Sequence, residues 1–93
     1  MGEAEPPGGP SMEDITLRAR VRRMVETGEM PCEETGKIWA GRGVGTYCAA
    51  CGYAITPSEV EFEITLTSGI ELRLHRGCHD VWREECEALT ARD

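Results

Sequence analysis

The strongest alternation in the chain begins at Glu59. Val60, Phe62, Ile64 and Leu66 alternate with Glu59, Glu61, Glu63 and Thr65; after Ser68-Gly69, Ile70, Leu72 and Leu74 alternate with Glu71, Arg73 and His75. A period of two sends successive side chains to opposite faces of a strand, so the pattern predicts a hairpin with one apolar and one charged face. Its register follows from keeping those faces unmixed. A two-residue Ser68-Gly69 turn would set Leu66 opposite Glu71 and Ile64 opposite Arg73. A three-residue loop of Thr67, Ser68 and left-handed Gly69 instead pairs Leu66 with Ile70, Ile64 with Leu72 and Phe62 with Leu74, with Glu63 and Arg73, and Glu61 and His75, matched on the other face.

Two other stretches follow a helical period. Leu17, Val21, Met24 and Val25 form one stripe, which predicts an amphipathic helix within residues 11–28, from about Met12 to Thr27. Ser11 and Asp14 are spaced as a capping box, and Gly28 with Pro31 ends the helix. Its other face carries Arg18, Arg20, Arg22 and Arg23, expected to be a solvated surface. After Gly77, Cys78, Val81, Trp82, Cys86 and Leu89 recur on one side of a second helix, with Asp80 and Glu84 in its N-terminal half. Residues 29–45 carry Gly36, Gly41, Gly43, Gly45 and paired acids, and are expected to form an irregular connection tied down by Trp39 lying against the folded domain. Residues 1–10, with Pro6, Pro7, Gly8, Gly9 and Pro10, have the composition of a disordered leader.

Composition sharpens this picture. A chain of 93 residues with 5% aromatics has few large apolar anchors, and a domain that short hides only about 60 to 65% of its unfolded surface. A metal or disulfide staple is therefore expected. No apolar run approaches the roughly 18 residues of a membrane span, and the N-terminus lacks the basic and apolar regions of a signal peptide, so a soluble, cytoplasmic protein is expected. The net charge of −7 is distributed as −4 over residues 1–14, +2 over 15–44 and −5 over 45–93. Repulsion from phosphate is the default, although the arginines from 18 to 23 can meet an anion locally.

The staple has a candidate. Cys48-Ala49-Ala50-Cys51-Gly52 is a knuckle in which a two-residue spacing turns both thiolates toward one ion, and Gly52 lets the turn close. His75-Arg76-Gly77-Cys78 repeats that spacing beyond the hairpin. Cys48, Cys51, His75 and Cys78 together make a full tetrahedral zinc set with no open position. The rival fourth ligand is His79, which follows Cys78 directly and would have to reach back across the helix start; His75 is favoured. A redox dithiol at Cys48 and Cys51 would need a parallel α/β setting that the pattern lacks. Of the five cysteines, Cys86 is expected as a small buried hydrophobe and Cys32 as a free thiol, with a disulfide the weaker explanation.

A knuckle, then a hairpin, then a helix whose start supplies the last ligands resembles a treble-clef zinc finger. Cys-x2-Cys-x23-His-x2-Cys is similar to the first zinc site of a LIM domain, over about residues 46–90. The resemblance implies an α+β fold, a zinc-stabilised treble-clef module preceded by the amphipathic helix, with ligand roles for Cys48, Cys51, His75 and Cys78. It stops there, because residues 79–93 offer only Cys86 and Asp93 where a LIM domain has a second set of four ligands. The pattern also resembles small uncharacterised bacterial proteins, which brings no activity with it.

The expected function is a non-enzymatic adaptor that presents a surface to another protein, with the acidic strand face of Glu59, Glu61, Glu63 and Glu71 and the N-terminal helix as candidate surfaces. No Ser/His/Asp set or phosphate loop is present, since Gly41-Arg42-Gly43-Val44-Gly45 precedes a knuckle and not a helix. A second reading is nucleic-acid binding through Arg18, Arg20, Arg22, Arg23 and Arg42, opposed by the acidic balance and the lack of an aromatic stacking strip. A third is a thiol and zinc redox sensor, in which Cys32 or Cys86 traps an oxidised ligand cysteine.

Overall fold

The computed structural model describes residues 14–91, so the expected leader, the Ser11 capping box and the start of the helix at Met12 lie outside the described residues. The elements in order are α1 (Asp14–Thr27), β1 (Thr35–Arg42), β2 (Val60–Leu66), β3 (Glu71–His75) and α2 (Arg76–Ala91). The strands form one antiparallel sheet in the order β1-β2-β3.

The hairpin follows the alternation that defines it. Phe62 pairs with Leu74, Ile64 with Leu72, Glu63 with Arg73 and Glu61 with His75. Gly69 at φ 98° closes the three-residue loop, and the Leu66 amide donates to the Ile70 carbonyl at 2.8 Å. Ile64, Leu66, Leu72 and Leu74 are buried, while Phe62 is half-buried and Ile70, at the end of the loop, is exposed. The apolar face packs under α2, where Val81 and Trp82 join the core.

Helix α1 packs in cis. Leu17 and Val21 are buried and Met24 and Val25 lie against the same core, with α1 set beside α2. Gly28, at φ 86°, ends the helix, and the Met30 amide returns to the Met24 carbonyl. That return drives Met30 into the core, fully buried, where its carbonyl accepts a hydrogen bond from the Trp82 indole at 3.3 Å. Met30 thus makes the seal that was expected of Trp39.

Three expectations are corrected here. Residues 29–45 are not irregular throughout: Thr35–Arg42 is a strand, paired from Lys37 to Thr65 through Arg42 to Val60. Both of its faces are exposed, so no burial pattern marked it, and Trp39 is 66% exposed and does not lie against the domain. Buried Gly43 follows it at a point where an added Cβ would come within 2.8 Å of the Ile55 carbonyl carbon, so only glycine lets this strand approach the knuckle. Second, Cys32 and Cys86 are neither a free thiol nor a lone buried hydrophobe, because they form a disulfide across a sequence separation of 54. Closing a loop of that length removes unfolded-state freedom worth about 4 kcal/mol on chain-entropy grounds. Third, the arginine face of α1 is not simply solvated. Arg18 bonds Asp14, Glu84 and Glu85, Arg22 bonds Glu85, and Arg20 bonds the Ala50 carbonyl.

Candidate metal centre

Cys48 and Cys51 sit on a turn that Gly52, at φ 82°, allows to close, its amide donating to the Cys48 carbonyl at 2.9 Å. The Ala49 amide donates to the Arg73 carbonyl at 2.8 Å, which docks the turn on β3, and the Tyr47–Ala54 bridge closes it from behind. His75 is the last residue of β3, and Cys78 lies in the first turn of α2. Hairpin and helix therefore deliver one half of the cluster to the turn that carries the other.

One donor atom from each of Cys48, Cys51, His75 and Cys78 lies within 4.8 Å of the others, close enough to hold a metal ion. The His75 Nδ1 is 3.4 Å from the Cys51 sulfur and 4.0 Å from that of Cys78. His79, the rival ligand, stands outside this cluster: its ring lies 4.8 Å from that of Phe62 and 6.0 Å from that of Trp82. It is buried in the apolar layer between helix and sheet, where burial pushes its pKa down.

The electrostatics suit a cation. The Cys48 thiol is lowered to about 4, first by a hydrogen bond from Cys78 and then by the amides of Cys51, His75 and Ala50. Those same neighbours raise the others: the bond to Cys48 and then burial hold the Cys78 proton, and burial raises Cys51. Burial opposes a charged His75, yet the Cys48 thiolate and the Glu59 carboxylate outweigh it and raise its pKa. In the assembled cluster Cys48 is already a thiolate, and a dication that displaces the Cys51 and Cys78 protons would complete the set of charged donors.

Glu59 was missed as part of this site. The His75 Nε2 is 3.1 Å from Glu59 Oε1, which also accepts from the Thr56 amide at 2.9 Å and the Thr56 hydroxyl at 3.1 Å. This carboxylate fixes the ring so that Nδ1 faces the sulfurs, as the outer partners of metal-binding histidines do. The Thr56 amide, then Thr56's hydroxyl and His75, lower the Glu59 pKa. The three-residue Thr56–Glu59 spacing, that of a side chain reaching back to a preceding amide, was the available signal. Replacing Glu59 by Gln should weaken metal affinity about 10 to 100-fold while the cluster stays assembled, measurable by competition with a chromogenic chelator. An unchanged affinity would show that the sheet alone orients His75.

No family model, curated protein or solved structure matches this chain.

Proposed function

We propose that the chain is a zinc-stabilised protein-interaction module that performs no catalysis, built on a treble clef like the first site of a LIM domain. The observation that carries this reading is the donor set, three sulfurs and an imidazole drawn together, a number that would fill a tetrahedral ion and leave it no open position. Zinc bound tetrahedrally, at about 2.3 Å to sulfur and about 2.0 Å to nitrogen, separates a sulfur from a nitrogen donor by about 3.5 Å. The His75 to Cys51 and Cys78 separations of 3.4 and 4.0 Å bracket that value. Zinc in such a set supplies folding energy and no activated water.

The nucleic-acid reading weakens because three of the four α1 arginines are spent on Glu84, Glu85 and Ala50 inside the molecule. The redox-sensor reading weakens because Cys32 and Cys86 are joined to each other and leave no spare thiol to trap an oxidised ligand. The same bond counts against the expected cytoplasmic site of action, since the cytosol keeps such disulfides open. Among the described residues no helix is long and apolar enough to cross a membrane.

The test is capture with the metal-loaded full chain beside His75→Ala, with retention on immobilised DNA and RNA measured across a salt series. A protein retained by the loaded chain and lost from the variant, with no salt-dependent nucleic-acid retention, is the expected result. Retention on nucleic acid that falls steeply with salt would replace this function with the second reading.

A further inference from the structure

The face of the sheet away from α2 carries two rows across its strands. Trp39 stands opposite Glu63, which stands opposite Arg73; one step along, Gly41 stands opposite Glu61, which stands opposite His75. Because Gly41 has no side chain and a Cβ there would meet nothing within 4 Å, the space over Glu61 is open. The result is a groove of about 250 Å³ whose lining includes Trp39, Gly41, Arg42, Glu61, Glu63 and Arg73.

Two features of this groove point to a ligand. The Glu61 side chain is only 8% exposed, and its Oε1 is buried with no hydrogen-bond partner. Its other oxygen lies 3.5 Å from Arg73, which makes its shorter contact, 2.7 Å, with Glu63. A buried carboxylate oxygen without a donor costs about 1 to 3 kcal/mol or more, so the site is left wanting a donor. The second feature is Trp39, an indole 66% exposed above this acidic pair. Diagonal cross-strand neighbours such as Trp39 and Glu61 have Cβ atoms about 7 to 8 Å apart, room for one flat group between ring and carboxylate.

The charge selects the group. On this face Glu61, Glu63 and Glu71 stand with Arg73 and Lys37, and Arg42, although strand alternation sets its Cβ on the other side, also lines the groove. Glu59 and the thiolate cluster around His75 lie at the same end and add negative potential. An anion is repelled and a cation is drawn in. A guanidinium fits better than an ammonium, since it is planar, weakly hydrated, stacks on an indole and offers several donors at once. Strand β1 is also a sheet edge exposed along its whole length, so an extended segment can lie on it and set alternate side chains over this face.

We infer that this groove receives an arginine side chain from an extended segment of the partner protein, stacked on Trp39 and donating to Glu61. This deepens the interaction reading and rests on it. The test titrates the metal-loaded full chain with a labelled extended peptide bearing one central arginine, and with the same peptide bearing citrulline, a neutral isostere. Anisotropy reports binding, and the emission of exposed Trp39 reports the site, since Trp82 is buried.

The arginine peptide should bind and shift Trp39 emission, with the citrulline peptide at least 10-fold weaker. Gly41→Val, which fills the groove with a strand-favouring residue, and Glu61→Gln should each weaken the arginine peptide at least 10-fold at unchanged metal content. Trp39→Thr, at an exposed position, gives the same readout by anisotropy if Gly41→Val disturbs the sheet. Equal affinity for both peptides, unchanged binding by Gly41→Val and Trp39→Thr, or no binding at millimolar peptide overturns the assignment. Free arginine amide binding as tightly as the peptide overturns the polypeptide occupant. A protein partner that Gly41→Val and Trp39→Thr still capture refutes the groove and leaves the interaction module standing.

Discussion

Stripping the metal with a strong chelator should unfold the half of the chain that the four ligands tie together, while Cys32–Cys86 still tethers its end. Cys48 and Cys51 lie on a turn, His75 ends β3 and Cys78 lies in the first turn of α2, so one ion held there would join three pieces of the chain. Structural zinc contributes about 10 to 16 kcal/mol in finger peptides at neutral pH, against about 5 to 15 for the whole stability of a small domain. Loss of the metal therefore exceeds what the remaining core can hold. Cys78→Ser should do the same, and the check is loss of dispersion in the amide spectrum with return on adding zinc. A metal-free chain that keeps its native spectrum would show that the disulfide and core suffice.

Proton counting gives this result a second edge. The lowered Cys48 value, about 4, belongs to the assembled cluster, where Cys78 and nearby amides bond its sulfur; once that half unfolds, all three thiols return to ordinary values of about 8.5 and hold their protons at pH 7. Zinc binding coupled to refolding at pH 7 should then release about three protons, one from each thiol. Calorimetry in buffers of different ionisation enthalpy measures this; a release near two would show a cluster that stays assembled without metal, with Cys48 already ionised. The sign with pH follows. The raised pKa of His75 stabilises the metal-free fold below the unfolded value, and that stability is lost as pH rises through the raised one. Metal loading runs the other way and weakens as pH falls, since protons compete for the same atoms.

The hairpin and the cluster were legible because each is written in local spacing. Alternation from Val60 to Leu74 admits one register with unmixed faces, and Gly69 supplies the turn it needs. The two Cys and His half-sites need only a two-residue spacing each and the hairpin between them. What stayed hidden has no local signature. Strand β1 buries neither face, so Thr35-Gly36-Lys37-Ile38-Trp39 shows no period, and only its backbone pairing with β2 makes it a strand. The Cys32–Cys86 bond joins residues 54 apart, and the contacts of Arg18 and Arg22 with Glu85 span 67 and 63 residues. Their pairing is decided by how α1 lands on α2, which composition does not encode.

That landing is also where the second large effect is expected. Removing residues 1–28 should leave a chain that still binds metal but melts at markedly lower temperature and exposes apolar surface to a dye. Two kinds of contact hold α1, and their magnitudes decide which matters. Buried Leu17 and Val21 each contribute about 1.5 to 3 kcal/mol, with smaller shares from half-covered Met24 and Val25. The ion pairs of Arg18 and Arg22 are 36% and 63% exposed on the arginine side, where such pairs contribute about 0 to 1 kcal/mol each. Glu85, buried at their centre, would regain water when α1 leaves, so no unpaired charge remains to punish the truncation. The apolar stripe therefore dominates, and Leu17→Ala with Val21→Ala should lower the melting temperature more than Arg18→Gln with Arg22→Gln. The reverse order would mean that α1 is held by charge, and its stability would then fall steeply with added salt.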